Sequence, residues 1–211
     1  ITERKELEEK YRRLSRLTSD YVHYCTRTGE SAFQVRWVDG AINAISGYHI
    51  KDIITLGCFL PLVHPDDRKN VSDYLFGLVA GDRKEIEFRI VTQQKEIRWV
   101  FEKSQCEAGP SEGELVLLGA VTDITEQKKA TEALRKSQEM LARTQQISQV
   151  GSWQLESSSN HLVWSDETYR IFGIEPQTLV PTYEEFFEAI HPDDRDSVDA
   201  AYSASLQAGK D

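Results

Sequence analysis

The residues best suited to chemistry stand in a pentapeptide that occurs twice, HPDDR at His64–Arg68 and again at His191–Arg195. A histidine beside two aspartates carries donor types that suit a divalent metal. Adjacent aspartates in a first helical turn point about 100° apart, however. No second group of His, Cys or Glu supplies further ligands, so no metal centre is expected. The alternative is a helix start. Proline in the first turn gives up only an N–H that would be unpaired anyway, and aspartates there meet the positive end of the helix dipole. An apolar run precedes both copies, Phe59–Val63 and Phe186–Ile190. The pentapeptide is therefore expected to be architecture.

The other candidates are three cysteines, Cys25, Cys58 and Cys106. They lack CxxC spacing and read as reduced thiols of a cytoplasmic protein. Cys25 and Cys106 are expected to flank strands without the basic surroundings of an activated thiol. Arg27, close to Cys25, reads as surface charge, and Cys58 in LGCFLPL as a small apolar core group. No Gly-rich nucleotide loop is present. The net charge of −10 argues against broad binding to nucleic acid or an anionic membrane. No apolar run approaches a spanning helix, and the opening ITERKELEEKYRRL has no signal-peptide core.

The elements that must position these residues come from an internal repeat. The register that lays His64 on His191 also carries Trp37 onto Trp164, Asp39 onto Asp166 and Phe59 onto Phe186. Two related domains follow. After its HPDDR the first copy continues with KEIEFRIV and EIRWVFEKS, which alternate, and ELVLLGAVTDI, which is apolar on both faces as a central strand should be. TQQK and AGPSEG separate them, so an antiparallel meander is expected. The second copy ends before any equivalent strands. It is expected to form strands near SWQLES and HLVWS and helices near 166–172, 183–189 and 193–207. Trp153, Trp164, Phe172, Phe186 and Phe187 would then lack much of their packing surface. Between the copies, TEQKKATEALRKSQEMLARTQQISQV is rich in helix formers. Leu134 and Leu141, and Leu7, Tyr11 and Leu14 near the start, fit a two-stranded coiled coil and a lone amphipathic helix equally.

The arrangement of two short strands, W-x-D with G-Y ten residues on (Trp37 to Tyr48), HPDD, three strands and GAVTDITEQK resembles a PAS domain followed by its signalling helix. The resemblance implies an α+β fold, a five-stranded antiparallel sheet flanked by helices, with a cavity between sheet and helices. It divides the chain into an N-terminal helix (1–19), a first domain (20–125), a linker helix (126–149) and an incomplete second domain (150–211). Trp37, Phe59, Val71, Leu75, Phe88, Val100 and Val121 are the pocket candidates it implies. Asp123, Ile124, Thr125 and Glu126 would form the signalling junction, with Thr125 capping the linker helix and Glu126 favouring its dipole. Ile97, Trp99 and Phe101 would lie on an outer sheet face covered by the N-terminal helix or a partner. Gln93–Lys95 replace the usual Asp-Gly turn, so a wider loop is expected there.

What such a resemblance implies for function is a cytoplasmic sensory or relay module that binds a small ligand or partner and passes the signal through the junction. A ligand-free dimerisation scaffold is one alternative. A fragment adjoining a histidine kinase or cyclic-dinucleotide catalytic domain is another. No histidine here stands in a phosphoacceptor pattern, so the chain itself is not expected to be an enzyme. Cys58 lacks the Asn and Arg that flank a flavin-reactive cysteine, and KNVSDYLFGLVAG carries no axial haem histidine. No cofactor is expected. A homodimer through the helices is, without nucleic acid or a membrane segment.

Overall fold

A computed structural model describes residues 19–156, 161–176, 178 and 180–208. The expected N-terminal helix, with Leu7, Tyr11 and Leu14, lies outside the described residues. The chain forms two compact units that divide between Thr131 and Glu132.

In the first unit β1 (Tyr21–Thr28) and β2 (Gln34–Gly40) pair antiparallel with a bulge between Tyr24 and Cys25. Gly40 closes this ribbon at φ +111°, where a Cβ would stand 2.5 Å from the Asp20 carbonyl oxygen. Two short helices follow, α1 (Ile42–Ser46) and α2 (Ile50–Leu56). Glycines in the left-handed region end both, as expected where a helix must stop on a residue without a Cβ penalty. Next comes α3 (Arg68–Phe76), then β3 (Arg83–Val91), β4 (Ile97–Ala108), β5 (Glu114–Asp123) and the long α4 (Thr125–Ser148). The sheet order is β2-β1-β5-β4-β3, antiparallel throughout. The doubly apolar β5 is the central strand.

Alternation assigns the two sheet faces. Val100, Glu102, Ser104 and Cys106 of β4 are buried, whereas Ile97, Trp99 and Phe101 lie on the other face, half-buried or exposed. Ile42, Ile45, Ile53, Leu62, Val63, Val71 and Leu78 join Phe88, Ile90, Val100, Leu117 and Val121 in one core between helices and sheet. On the outer face, the Arg89 and Lys128 cations sit 5.6 and 5.2 Å from the Trp99 ring. The β3–β4 connection is a turn closed by Lys95 N–H donating to Thr92 C=O (2.9 Å), with Lys95 itself at φ +68°. This is the wider alternative to a two-residue Asp-Gly turn.

HPDDR does start a helix, with a different division of labour from that expected. His64 Nδ1, not an aspartate, accepts the Asp66 N–H at 3.3 Å, and a 3-10 turn over Pro65–Asp67 leads into α3. Asp67 instead reaches β3, where its carboxylate accepts from Arg89 Nε (2.9 Å), Nη2 (2.6 Å) and the backbone N–H (2.8 Å). Arg68 turns back to the Val63 carbonyl. In the second unit His191 and Arg195 repeat the cap and the return contact, at 3.3 Å to Asp193 N and 3.1 Å to Ile190 O.

The second unit contains the hairpin β6 (Trp153–Glu156) and β7 (His161–Trp164), then α5 (Asp166–Ile171), α6 (Tyr183–Glu188) and α7 (Arg195–Ala208). Trp153 is exposed, as its lack of packing surface suggested, but Trp164 is buried. It stacks on Phe172 at 5.0 Å and meets Tyr169 edge-on at 5.4 Å, a small aromatic core within the unit.

Candidate functional site

The first unit holds a partly enclosed cavity of about 40 Å³ between the inner sheet face and the α2–α3 segment. A buried water needs roughly 10–15 Å³ of such space, so the cavity has room for about three small-molecule atoms without rearrangement. Its walls are mostly apolar. Of the pocket residues expected from sequence, Phe59, Val71, Leu75 and Phe88 line it. Val100 and Val121 are fully buried in the core but do not reach the cavity, and Trp37 lies outside it, 36% exposed on β2. The physical reason is register. Trp37 follows the β1–β2 bulge, and its backbone pairs with Tyr24, whose neighbours His23 and Cys25 take the inward positions.

What sequence reasoning missed is a polar cluster on the inner face. His23, Cys25 and Arg27 occupy alternate positions of β1, and all three are buried and line the cavity. His23 Nε2 lies 3.2 Å from Glu102 Oε1, and Ser104 Oγ donates to the same oxygen at 2.8 Å. Cys25 Sγ stands 3.3 Å from His23 Nδ1. The strand register makes this array possible. His23 pairs with Gly119 on the central strand, and Glu102 with Val121. The imidazole lies over the glycine so closely that a Cβ there would be 2.0 Å from Nε2. Glycine inside a strand often marks such an approach. The Phe59 ring covers the imidazole at 4.8 Å.

Burial alone would depress the His23 pKa, but the Glu102 charge and hydrogen bonds to Cys25 and Glu102 outweigh it, pushing the imidazole up to about 10. Burial would likewise raise Glu102, yet the His23 charge, with hydrogen bonds from His23 and Ser104, holds it below the ordinary carboxylate range. The two therefore form a buried ion pair at neutral pH. Arg27 is not surface charge but 8% exposed. Its guanidinium donates to the carbonyls of Leu75 (3.1 Å) and Leu78 (2.8 Å) beyond α3, and the Phe33 ring lies 4.6 Å away. No carboxylate pairs with it among the described residues, and its Nε, like the Tyr74 hydroxyl, is buried without a hydrogen-bond partner. Cys25 and Cys106 lie within strands rather than beside them, both buried, and Cys58 is half-buried on the cavity wall. Among the described residues no His, Cys, Asp and Glu gather as a metal site.

The junction lies at the end of the same strands. Asp123 Oδ2 accepts from Arg98 Nη1 at 2.9 Å, and its Oδ1 accepts the Thr125 N–H at 2.9 Å and the Thr125 hydroxyl. Thr125 Oγ1 accepts the Trp99 N–H at 2.9 Å, while Ile124 N–H donates to the Trp99 carbonyl. Thr125 is thus the first residue of α4 and ties it to β4, where an N-cap was expected. Asp20 Oδ2 accepts the Asp123 N–H at 2.6 Å, adding β1's entry to the knot. Burial would raise Asp123, but Thr125 and Arg98 together hold it below its usual value. Glu126 is exposed and pairs with Lys129.

Comparison with known proteins follows this geometry. The family model described as PAS fold matches residues 35–121 and 161–211, more than half of the chain. A blue-light-activated histidine kinase of Brucella ovis is 34% identical over 86 residues, covering 41% of this chain and 17% of that protein. A probable diguanylate cyclase of Escherichia coli strain K12 is 20% identical over 152 residues, covering 71% of this chain and 14% of that protein. Both relatives are therefore far longer than the chain. Among solved structures, a sensory box histidine kinase/response regulator from Burkholderia thailandensis is similar at 22% identity and a TM-score of 0.45, over 62% of this chain and 97% of that one. With its family model matched in both units, the chain belongs to the PAS fold family.

Proposed function

We propose that the first unit is a sensory module that receives a small molecule in its cavity and passes the event through the Asp123–Thr125 junction into α4. The observation that carries this reading is continuity along β4. Glu102, in the cavity, is two residues from Val100, which pairs with Asp123, and three from Trp99, whose backbone holds Ile124 and Thr125. A change that moves Glu102 has a short, hydrogen-bonded route to the first turn of α4. The parent protein would be a cytoplasmic histidine kinase or cyclic-dinucleotide enzyme, as its relatives are named, with catalysis outside these residues. Neither flavin nor haem is part of the proposal, since Cys58 lacks the flanking Asn and Arg and the helix after HPDDR has no histidine. No helix among the described residues is long and apolar enough to cross a membrane.

Native mass spectrometry of freshly purified chain, followed by hydrogen exchange with any small molecule found, tests this. Altered exchange over 123–130 on binding is the expected result, and binding without any change there would refute the relay. A second reading, a dimerisation scaffold, is favoured by the exposed Leu134, Met140 and Leu141 on α4. Under that reading Leu134→Ala with Leu141→Ala lowers the sedimentation mass at micromolar concentration, and no cavity ligand alters exchange.

A further inference from the structure

We propose that Cys25 is a reactive thiol, activated by His23 and Glu102, that is oxidised to a sulfenic acid by hydrogen peroxide entering the cavity. The proposal names the signal for the site read above as sensory. It rests on that reading only for its consequence at α4, because the chemistry stands on the geometry of the cluster.

A nucleophile, a base and a group that orients the base are the recurring parts of an activated thiol. Here Cys25 Sγ is 3.3 Å from His23 Nδ1, and His23 Nε2 is 3.2 Å from Glu102. The ring cannot swing away, held between Phe59 and the bare face of Gly119. Along β1 the thiol stands between two buried basic residues, His23 before it and Arg27 after it. Arg27 makes this environment unusual, being a buried charge with no carboxylate partner among the described residues and an Nε–H without an acceptor. Arg27 Nε, a buried donor without a partner on a residue that lines the cavity, calls for an oxygen acceptor brought in from outside.

Size selects the oxidant. The cavity is small and mostly apolar, so the two oxygens of hydrogen peroxide enter it more readily than a quinone or an aryl hydroperoxide. The step balances without further reagents. The thiol first gives its proton to solvent through the open side of the cavity, and the thiolate Sγ then accepts the Nδ1–H of the His23 imidazolium. The sulfur electron pair attacks one peroxide oxygen, the S–O bond forms and the O–O bond breaks. The departing hydroxide takes the Nδ1 proton and leaves as water, with Arg27 Nε as donor to the oxygens. Sulfur loses two electrons and the peroxide gains them. The product is a neutral sulfenic acid whose new oxygen stands beside His23, while Glu102, still facing the ring, draws a proton back onto the imidazole. The added oxygen, crowding the His23–Glu102 pair, is the event that would travel along β4.

The experiment uses the full chain carrying Cys58→Ser, so that the second thiol on the cavity wall cannot consume the product. It is exposed to hydrogen peroxide and then to catalase, and each cysteine peptide is followed by mass spectrometry. Cys25 is expected to gain one oxygen well before Cys106, which is equally buried but has no histidine partner. His23→Gln should slow Cys25 by about a hundredfold, the scale of a lost proton-transfer partner, and Glu102→Gln, closest in shape, should slow it in the same direction. An aryl hydroperoxide should oxidise Cys25 more slowly than hydrogen peroxide does. Equal rates at Cys25 and Cys106, or a Cys25 rate unchanged in whichever variant folds, would overturn the proposal, as would equal reaction with the bulky oxidant. Oxidation of Cys25 without a change in exchange over 123–130 would instead refute the relay and leave the chemistry standing.

Discussion

Gly119→Ala is the sharpest perturbation of the site, because its ordinary effect and its effect here have opposite signs. Glycine in a strand interior costs roughly 0.5–1 kcal/mol relative to alanine, so at an open position the substitution would stabilise. At Gly119 the new Cβ would fall 2.0 Å from His23 Nε2 and 2.3 Å from Cε1, against a normal contact of 3.4 Å or more. The imidazole must retreat by over an ångström, which takes Nε2 beyond hydrogen-bond reach of a Glu102 oxygen now 3.2 Å away. Leaving one member of a buried pair uncompensated costs about 3–5 kcal/mol. The net expectation is a loss of about 2–4 kcal/mol once the strand preference is subtracted. For a unit of this size that corresponds to a fall of roughly 10–30 °C in melting temperature. Native-state hydrogen exchange over 83–123 reports the opening free energy of this unit separately from the second one. The control is a double-mutant cycle with His23→Ala, in which the clash has no partner and the added methyl should cost almost nothing. Gly119→Ala within about 0.5 kcal/mol of the parent, the usual scatter of neutral changes, would refute the argument. So would an equal cost in both backgrounds.

The titration of His23 gives a second test. An imidazole raised to about 10 in the folded unit against roughly 6.5 unfolded contributes stability that is complete below pH 6.5 and lost as pH rises through 10. Denaturant midpoints between those limits should decline in the parent, and His23→Gln should flatten the decline. At the junction, Asp123→Asn removes the charge that holds Arg98 and weakens acceptance of the Thr125 N–H. It should cost about 1–3 kcal/mol and speed exchange in the first turn of α4, and unchanged exchange there would exclude the carboxylate as the tie. His64→Ala and His191→Ala each delete a helix cap worth about 0.5–2 kcal/mol. The first should cost more, since the side chain of His64 is 19% exposed and that of His191 is 69% exposed, and the reverse order in urea unfolding would contradict the capping role. Finally, His23→Leu with Glu102→Met replaces the whole buried pair by apolar groups. Such swaps are often neutral or stabilising by 1–4 kcal/mol, and a large loss would mean that the pair is kept for stability.

Much of the fold was legible because its signals are local. Alternation in KEIEFRIV and EIRWVFEKS placed β3 and β4, and the apolar run of ELVLLGAVTDI placed the central strand. HPDDR marked two helix starts from five residues, although sequence alone assigned the cap to the aspartates. His64 takes that role through Nδ1, and Asp67 is drawn across to Arg89, a long-range partner that no local pattern contains. The junction was legible in position and not in bonding. DIT located the joint, but the tie from Thr125 to the Trp99 N–H depends on β4 lying beside the end of β5.

The site was nearly illegible for a reason built into strand grammar. A strand is read by asking which alternate row is apolar, and that row is then assigned to the core. In YVHYCTRT the row containing His23, Cys25 and Arg27 looks like the wet side, yet it faces inward. In EIRWVFEKS the row Ile97, Trp99 and Phe101 lies on the outer face, as the resemblance implied, but nothing local showed that Glu102 and Ser104 hold the buried row with Val100 and Cys106. The buried polar residues of β1 and β4 become a signal only when the two strands are considered together. Buried histidine and buried glutamate are each costly alone, and the sheet register brings them within 3.2 Å of one another. The one local clue was Gly119, a glycine in the middle of LVLLGAVTDI where β-branched residues would be preferred. A missing side chain in a central strand marks the place where another residue needs the space, and here that residue is the His23 imidazole.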